Sequence, residues 1–207
     1  PASCAARAIF SRTSARRVEA SSRGMRRAIG GRLRPRHPLP QHWLMTDERM
    51  GESLWDALVR LPRGSGVVFR HYGLAPAARR ALFAKVARVA RRRGLLLVRA
   101  GAERLGQEDG AHGRKARGLR TWPAHSRREA VAAARAGADA VFVSPVFATR
   151  SHPGARALGR VRLGLLIRGL PVPVIALGGM GARRPASLQP LGVDGWAGVD
   201  AWRRQGS

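Results

Sequence analysis

From residue 43 onward, short apolar runs alternate with longer segments in which apolar residues return every three or four positions. The runs at 140–146 and 174–177 are apolar and rich in β-branched residues, with no polar alternation, which predicts strands buried on both faces. Further runs predict strands at 43–46, 67–71, 95–99, 111–112, 119–122 and 196–199. Between them, helical spacing predicts helices at 52–61, 76–93, 126–136, 158–168 and 183–188. In the second of these, Ala78, Leu82, Val86 and Val89 form the inward stripe and arginines take the solvent face. Strand and helix alternate at intervals of about 20 to 30 residues, which implies a parallel sheet in an α/β protein. Eight strands favour closure into a compact (β/α)8 TIM barrel, smaller than the usual size of about 250 residues. The segment 101–117 is too short for two full βα units, so a helix there is a single turn or missing. An open doubly wound sheet is the alternative, but Thr46-Asp47-Glu48-Arg49 stands where its glycine-rich turn would follow the first strand.

The two late strands end in groups suited to an anion. A Gly178-Gly179 step lets backbone amides approach a phosphate closely because no Cβ intervenes, and Thr149 and Ser151 supply hydroxyl donors nearby. The expected ligand therefore carries a phosphate.

Composition changes this picture little. A formal charge of +27 on 207 residues suggests polyanion binding, but Lys85 and Lys115 are the only lysines and the arginine excess accompanies abundant Ala and Gly. That bias reads as GC-rich coding; no reader motif accompanies the charge, so nucleic acid is not an expected partner. The single cysteine, Cys4, excludes a disulfide framework within the chain and fits a reducing, cytoplasmic setting. No run approaches the roughly 18 apolar residues that cross a bilayer, so no membrane partner is expected. Residues 1–40 are rich in Arg, Ser, Ala and Pro with one acid, Glu19, and read as a disordered extension preceding a barrel at 41–207. They resemble a basic transit segment, and a dispensable extension is the preferred reading.

The string Gly137-Ala138-Asp139 through Ser144-Pro145-Val146-Phe147-Ala148-Thr149-Arg150-Ser151 resembles the thiamine-phosphate synthase family, which shares its barrel with the thiazole tautomerases. Trp43-Leu44-Met45-Thr46-Asp47, Gly110-Ala111-His112, His125-Ser126 and Ala176-Leu177-Gly178-Gly179-Met180 extend the likeness over residues 43–202. The resemblance implies that a pyrimidine methyl pyrophosphate loses pyrophosphate and is joined to a thiazole phosphate, in thiamine biosynthesis. It places the thiazole phosphate against Gly178, Gly179, Gly198 and Val199, puts Thr149 and Ser151 beside the thiazole or pyrophosphate, and matches Arg70 to a family arginine on the second strand. His125 stands where a tautomerase holds a proton-transfer histidine; its alternative is a helix cap beside Ser126.

The chain also departs from the family pattern. Val68 and Tyr72 replace a glutamine and a lysine; Arg99-Ala100 replaces an Asn-Asp whose aspartate binds Mg²⁺; Arg117 stands where a second acid is expected. Mg²⁺ is thus the cofactor the resemblance implies, and its acidic ligands are absent. Arg99, Lys115 and Arg117 are the candidate replacements as pyrophosphate contacts. A tautomerase needing only the phosphate site and His125, and a non-catalytic phosphate-binding barrel, are the alternative functions. Asp47 is expected at the catalytic rim, Asp139 at the opposite rim in a stabilising role, and Asp200 close enough to the phosphate to repel it. Trp122 is either a packing residue or a platform for an aromatic ring.

Overall fold

The structure, a computed structural model, describes residues 28–29, 32–33, 39–149, 154, 156–181 and 183–202. Eight parallel strands close into a barrel: β1 (His42–Met45), β2 (Gly66–Phe69), β3 (Leu96–Ala100), β4 (Gly110–His112), β5 (Leu119–Ala124), β6 (Ala140–Val143), β7 (Val174–Leu177) and β8 (Gly195–Gly198). Each pairs with its neighbour in sequence, and β8 returns to β1 with Trp196 opposite His42 and Gly198 opposite Leu44. Ahead of the barrel, Ala28–Ile29 pairs antiparallel with Arg32–Leu33. The remainder of the extension read at 1–40, apart from Leu39 and Pro40, lies outside the described residues.

The interior and exterior of the barrel are sorted by strand parity. Trp43, Met45, Val68, Val98, Ala100, Phe142, Ile175 and Ala197 fill the interior, while Leu44, Val67, Phe69, Leu97, Val141 and Val174 face outward to the helices. The Trp43 ring is housed by two features. Its Nε1 donates to the Pro40 carbonyl at 2.7 Å, and Gly66 on β2 leaves the space where a Cβ would lie 2.2 Å from the indole. At the N-terminal rim, Asp139 Oδ2 accepts the Arg120 amide at 2.9 Å and tethers β5 to β6, the stabilising role expected of it. Trp202, in a 3-10 turn over Asp200–Trp202, stacks on Trp196 and donates Nε1 to the Trp43 carbonyl at 3.1 Å, spanning the seam between β8 and β1.

Among the described residues, four α-helices cover the outside: α1 (Ser53–Arg60), α2 (Pro76–Arg93), α3 (Arg127–Arg135) and α4 (Gly159–Ile167). Helix α2 runs from Pro76 to a left-handed Gly94. Its buried stripe is Arg79, Phe83, Val86, Ala87 and Ala90, so the expected stripe is rotated by about one residue, and Ala78 is exposed. Arg79 accounts for the shift: a residue assigned to solvent by its charge is buried, donating Nε to the His71 carbonyl at 2.9 Å and Nη2 to the Ala100 carbonyl at 2.6 Å. Those bonds satisfy backbone acceptors where β2 and β3 have ended.

The helix expected at 183–188 is instead two 3-10 turns, Pro185–Ser187 and Gln189–Leu191. Pro190 lacks the amide hydrogen that an α-helix continued through 191 would use, and Pro185 and Pro190 each sit within the first two residues of a three-residue turn instead. No helix forms between β3 and β4 or between β4 and β5. This is how a chain of this length still closes eight strands. Among the described residues no helix is long and apolar enough to cross a membrane.

Candidate active site

Strand parity places Arg70, Ala100, His112 and Ser144 on the inward side as the chain leaves the C-terminal ends of β2, β3, β4 and β6. These ends open into one cavity of about 1270 Å³, lined by groups from all eight strands or the turns that follow them. The cavity has two unlike walls.

One wall is the turn after β7. Gly178 has φ +95° and Gly179 φ +61°, backbone that favours glycine. Pairing that stops at Val143 resumes beyond Pro145, where Val146 N donates to the Leu177 carbonyl at 2.8 Å and Phe147 N to that of Gly178 at 3.1 Å. This lays the segment ending at Thr149 along the glycine turn. A Cβ on Gly179 would fall 2.4 Å from the Ala148 carbonyl oxygen, and one on Gly178 would fall 2.8 Å from Pro145 Cα. Among the described residues, the amides of Gly179 and Met180 have no protein acceptor, and both residues line the cavity. Thr149, Gly198 and Val199 also line it. The expected anion-binding groups therefore share one mouth, except Ser151, which lies outside the described residues.

The other wall is cationic. Arg70 is held by three hydrogen bonds: its amide to Thr46 Oγ1 (3.0 Å), Nε to the Thr46 carbonyl (3.0 Å) and Nη2 to Asp47 Oδ2 (2.7 Å). Asp47 also takes Arg49 Nε at 2.7 Å, and this hydrogen bond holds its carboxyl well below the usual range. Asp47 thus orients Arg70 and does not line the cavity itself. Arg114, Arg183 and Arg184 complete the cationic set, and Asp200 is the acid that faces them. Arg184 donates to the Gly179 carbonyl and lies 4.8 Å over the Phe147 ring.

Two histidines line the space between the walls. His112 Nδ1 lies 2.9 Å from Thr121 Oγ1, its ring meets Phe142 edge-on, and burial pushes its pKa down to about 4. It is therefore neutral at physiological pH. His125 Nδ1 lies 2.8 Å from the Ser144 carbonyl. A carbonyl only accepts, so Nδ1 carries a proton, and in the neutral ring the lone pair is on Nε2. The helix cap belongs to Ser126, whose Oγ accepts the Glu129 amide, while Glu129 Oε2 accepts the His125 amide at 2.8 Å. This reciprocal bonding fixes the backbone of His125 and leaves its ring outside the cap.

The three candidate pyrophosphate contacts are corrected. Arg99 lies on the outward parity of β3, is 5% exposed, and donates to Glu108 Oε1 at 3.0 Å and the Gly101 carbonyl at 2.5 Å. It does not reach the cavity. Lys115 and Arg117 are exposed on the loop after β4 and do not line it either; Arg114 does. Sequence reasoning also missed Arg183 and Arg184, because in so arginine-rich a chain the residue type alone marks nothing. Trp122 faces outward and packs against the cluster beneath α3, so it offers no stacking platform.

A magnesium site does not fit these residues. The inward position at the end of β3 is Ala100, and Glu108 is committed to Arg99 and Arg104, Glu103 to Arg80. Among the described residues no three His, Cys, Asp or Glu converge, whereas a hard cation requires clustered oxygen ligands.

The profile described as thiamine monophosphate synthase matches residues 45–202. The thiamine-phosphate synthase of Chloroflexus aurantiacus is 38% identical over 79 residues, 38% of this chain and 37% of that protein. That of Pyrococcus furiosus is 32% identical over 77 residues, again 37% of each. The chain thus matches little more than a third of the length of these curated relatives. Among solved structures, the thiamine phosphate pyrophosphorylase of Pyrococcus furiosus superimposes with a TM-score of 0.64 at 22% identity, over 78% of this chain and 86% of that one, which establishes the shared fold. With the profile running from the end of β1 through β8, over residues 45–202, the chain belongs to the thiamine monophosphate synthase family.

Proposed function

We propose that this protein is a transferase of thiamine biosynthesis, joining an aminopyrimidine methyl pyrophosphate to a thiazole phosphate with release of pyrophosphate. The observation that carries the reading is one cavity with a phosphate-sized glycine turn on one wall and an arginine cluster on the other. A site for a single small ligand needs about 300–1000 Å³; about 1270 Å³ accommodates two substrates side by side. Its place at the C-terminal ends of the strands is where barrels of this kind build active sites.

In the reaction, the bond between the pyrimidine methylene carbon and the bridging pyrophosphate oxygen breaks, and its electron pair leaves with the pyrophosphate. The thiazole nitrogen lone pair then forms the new carbon–nitrogen bond, giving a thiazolium. No proton changes hands in this exchange, so the demands on the protein are alignment and charge. The thiazole phosphate lies against the amides of Gly179 and Met180 and the Thr149 hydroxyl, with Gly198 and Val199 beside it, which fixes the nucleophile. Arg70, rigid through Asp47 and Thr46, faces the charge that develops on the leaving group. Neutral His112 and the Nε2 lone pair of His125 are polar groups for the aminopyrimidine ring. Ser151 remains a further candidate for the hydroxyl set. The tautomerase alternative uses only the glycine turn and His125, and leaves the arginine wall without a ligand. Use of phosphorylated metabolites of this kind supports a cytoplasmic setting.

The test is incubation of the full chain with both substrates, with and without Mg²⁺, and chromatographic detection of thiamine phosphate. Product is expected, with kcat/KM reduced about 100-fold or more in Arg70→Ala, the usual effect of removing one preorganised charge donor. Absence of product from a chain that binds both substrates would reject the reading.

A further inference from the structure

Among the described residues, the mouth of the barrel combines an absence of clustered acids with an excess of cations. Among the described lining residues, four guanidinium groups, Arg70, Arg114, Arg183 and Arg184, face one carboxylate, Asp200. Arg70 spends Nε and Nη2 on Thr46 and Asp47, which fixes its plane and leaves Nη1 without a protein partner among the described residues. Arg114 is half-buried, yet among the described residues it makes no ion pair or hydrogen bond. Arg183, exposed at the rim, has no such partner there either, so the cost of burial falls on Arg114. A partly desolvated guanidinium without an acceptor is costly in a folded protein, and the cost is recovered when an anion supplies the missing oxygens.

We propose that the cavity takes the pyrophosphate group as the metal-free anion, neutralised by Arg70 and Arg114 with Arg183 at the rim, and not as its magnesium complex. This rests on the function proposed above and specifies the form of its substrate. Guanidinium suits the task because its planar fork gives two parallel N–H donors to two phosphate oxygens and stays charged at every physiological pH. A bound divalent cation would face four like charges and find no carboxylate cluster to offset them. Chelation by Mg²⁺ also occupies the oxygens that the arginines require. The two modes of binding therefore respond to Mg²⁺ with opposite sign.

Titration calorimetry of the full chain with inorganic pyrophosphate separates them. In EDTA, one-site binding is expected; excess Mg²⁺ should lower the apparent affinity, because it withdraws the free anion, and a higher affinity with Mg²⁺ would overturn the inference. Arg114→Gln should weaken binding about tenfold, the scale of one charge-assisted hydrogen bond, and Arg183→Gln should weaken it in the same direction. Arg92→Gln, on the exposed face of α2 away from the cavity, should leave it unchanged. Circular dichroism and the thermal midpoint establish that each variant is folded. Binding that appears only with Mg²⁺ overturns the inference and leaves the proposed function standing. Equal losses in Arg92→Gln and Arg114→Gln overturn it too, since the anion would then be held by diffuse charge. No binding in either condition overturns the inference and the pyrophosphate half of the proposed function together.

Discussion

His112 shows how one side chain is tuned by where its strand ends. Its pKa of about 4 lies below the ordinary histidine value of about 6.5 because the charged imidazolium would be desolvated, and Arg70 opposes it further. In this range the unfolded chain binds the proton more readily than the folded one. Stability is therefore full above about pH 6.5 and is lost as pH falls towards 4. The total is on the order of 3 kcal/mol, each pKa unit being worth about 1.4 kcal/mol. Urea unfolding at pH 7 and pH 4.5 should show this slope, and His112→Gln should flatten it. Buried His71, also shifted down, adds a slope of the same sign that survives the substitution. At this scale the sequence was legible where a residue's chemistry is unusual for its surroundings, as with His125 and the paired glycines, both of which line the cavity. It was illegible for arginines. Arg99 and Arg114 look alike in the chain, and only strand parity and the path of a loop send one to Glu108 and the other to the cavity.

Among the elements, the β7 turn depends most narrowly on its residues. Gly179→Ala would combine a positive φ, which costs an L-residue about 1–2 kcal/mol, with a Cβ 2.4 Å from the Ala148 carbonyl. The segments after β6 and β7 must then separate. A thermal midpoint several degrees lower and at least a tenfold loss of thiazole phosphate affinity are expected, the first read by calorimetry and the second by ligand titration; wild-type affinity would argue against this turn as the phosphate cradle. All eight strands were legible because strands buried on both faces form compact apolar runs. The same property hid their orientation, since without polar alternation nothing along β3 distinguishes the inward Ala100 from the outward Arg99. The expected helix at 183–188 gave way to the turns at Pro185 and Pro190, and the inward stripe of α2 failed at Arg79, where two carbonyl acceptors outweigh the charge's preference for water.

For the molecule as a whole, a formal charge of +27 means self-repulsion that the few acids cannot relieve. Added salt should raise the thermal midpoint by screening that repulsion, while weakening pyrophosphate binding by screening attraction within the cavity. Scanning calorimetry and titration across one series of salt concentrations should show the two trends opposed. Parallel trends would mean that the binding charge is not set apart from the global charge. Architecture and family were legible from the order of strands and the strings at their ends. The arginines of the cationic wall emerge only once the chain is folded.

The seam between β8 and β1, bridged by the bond from Trp202 to the Trp43 carbonyl, joins residues 159 positions apart. The first strand of the barrel to leave the ribosome must therefore wait, with one ladder edge unpaired, for the barrel's last. Until then the inward faces of seven strands form an open trough, and no cavity exists for a ligand to find. Substrate recognition in this protein thus begins only when synthesis has delivered its closing strand.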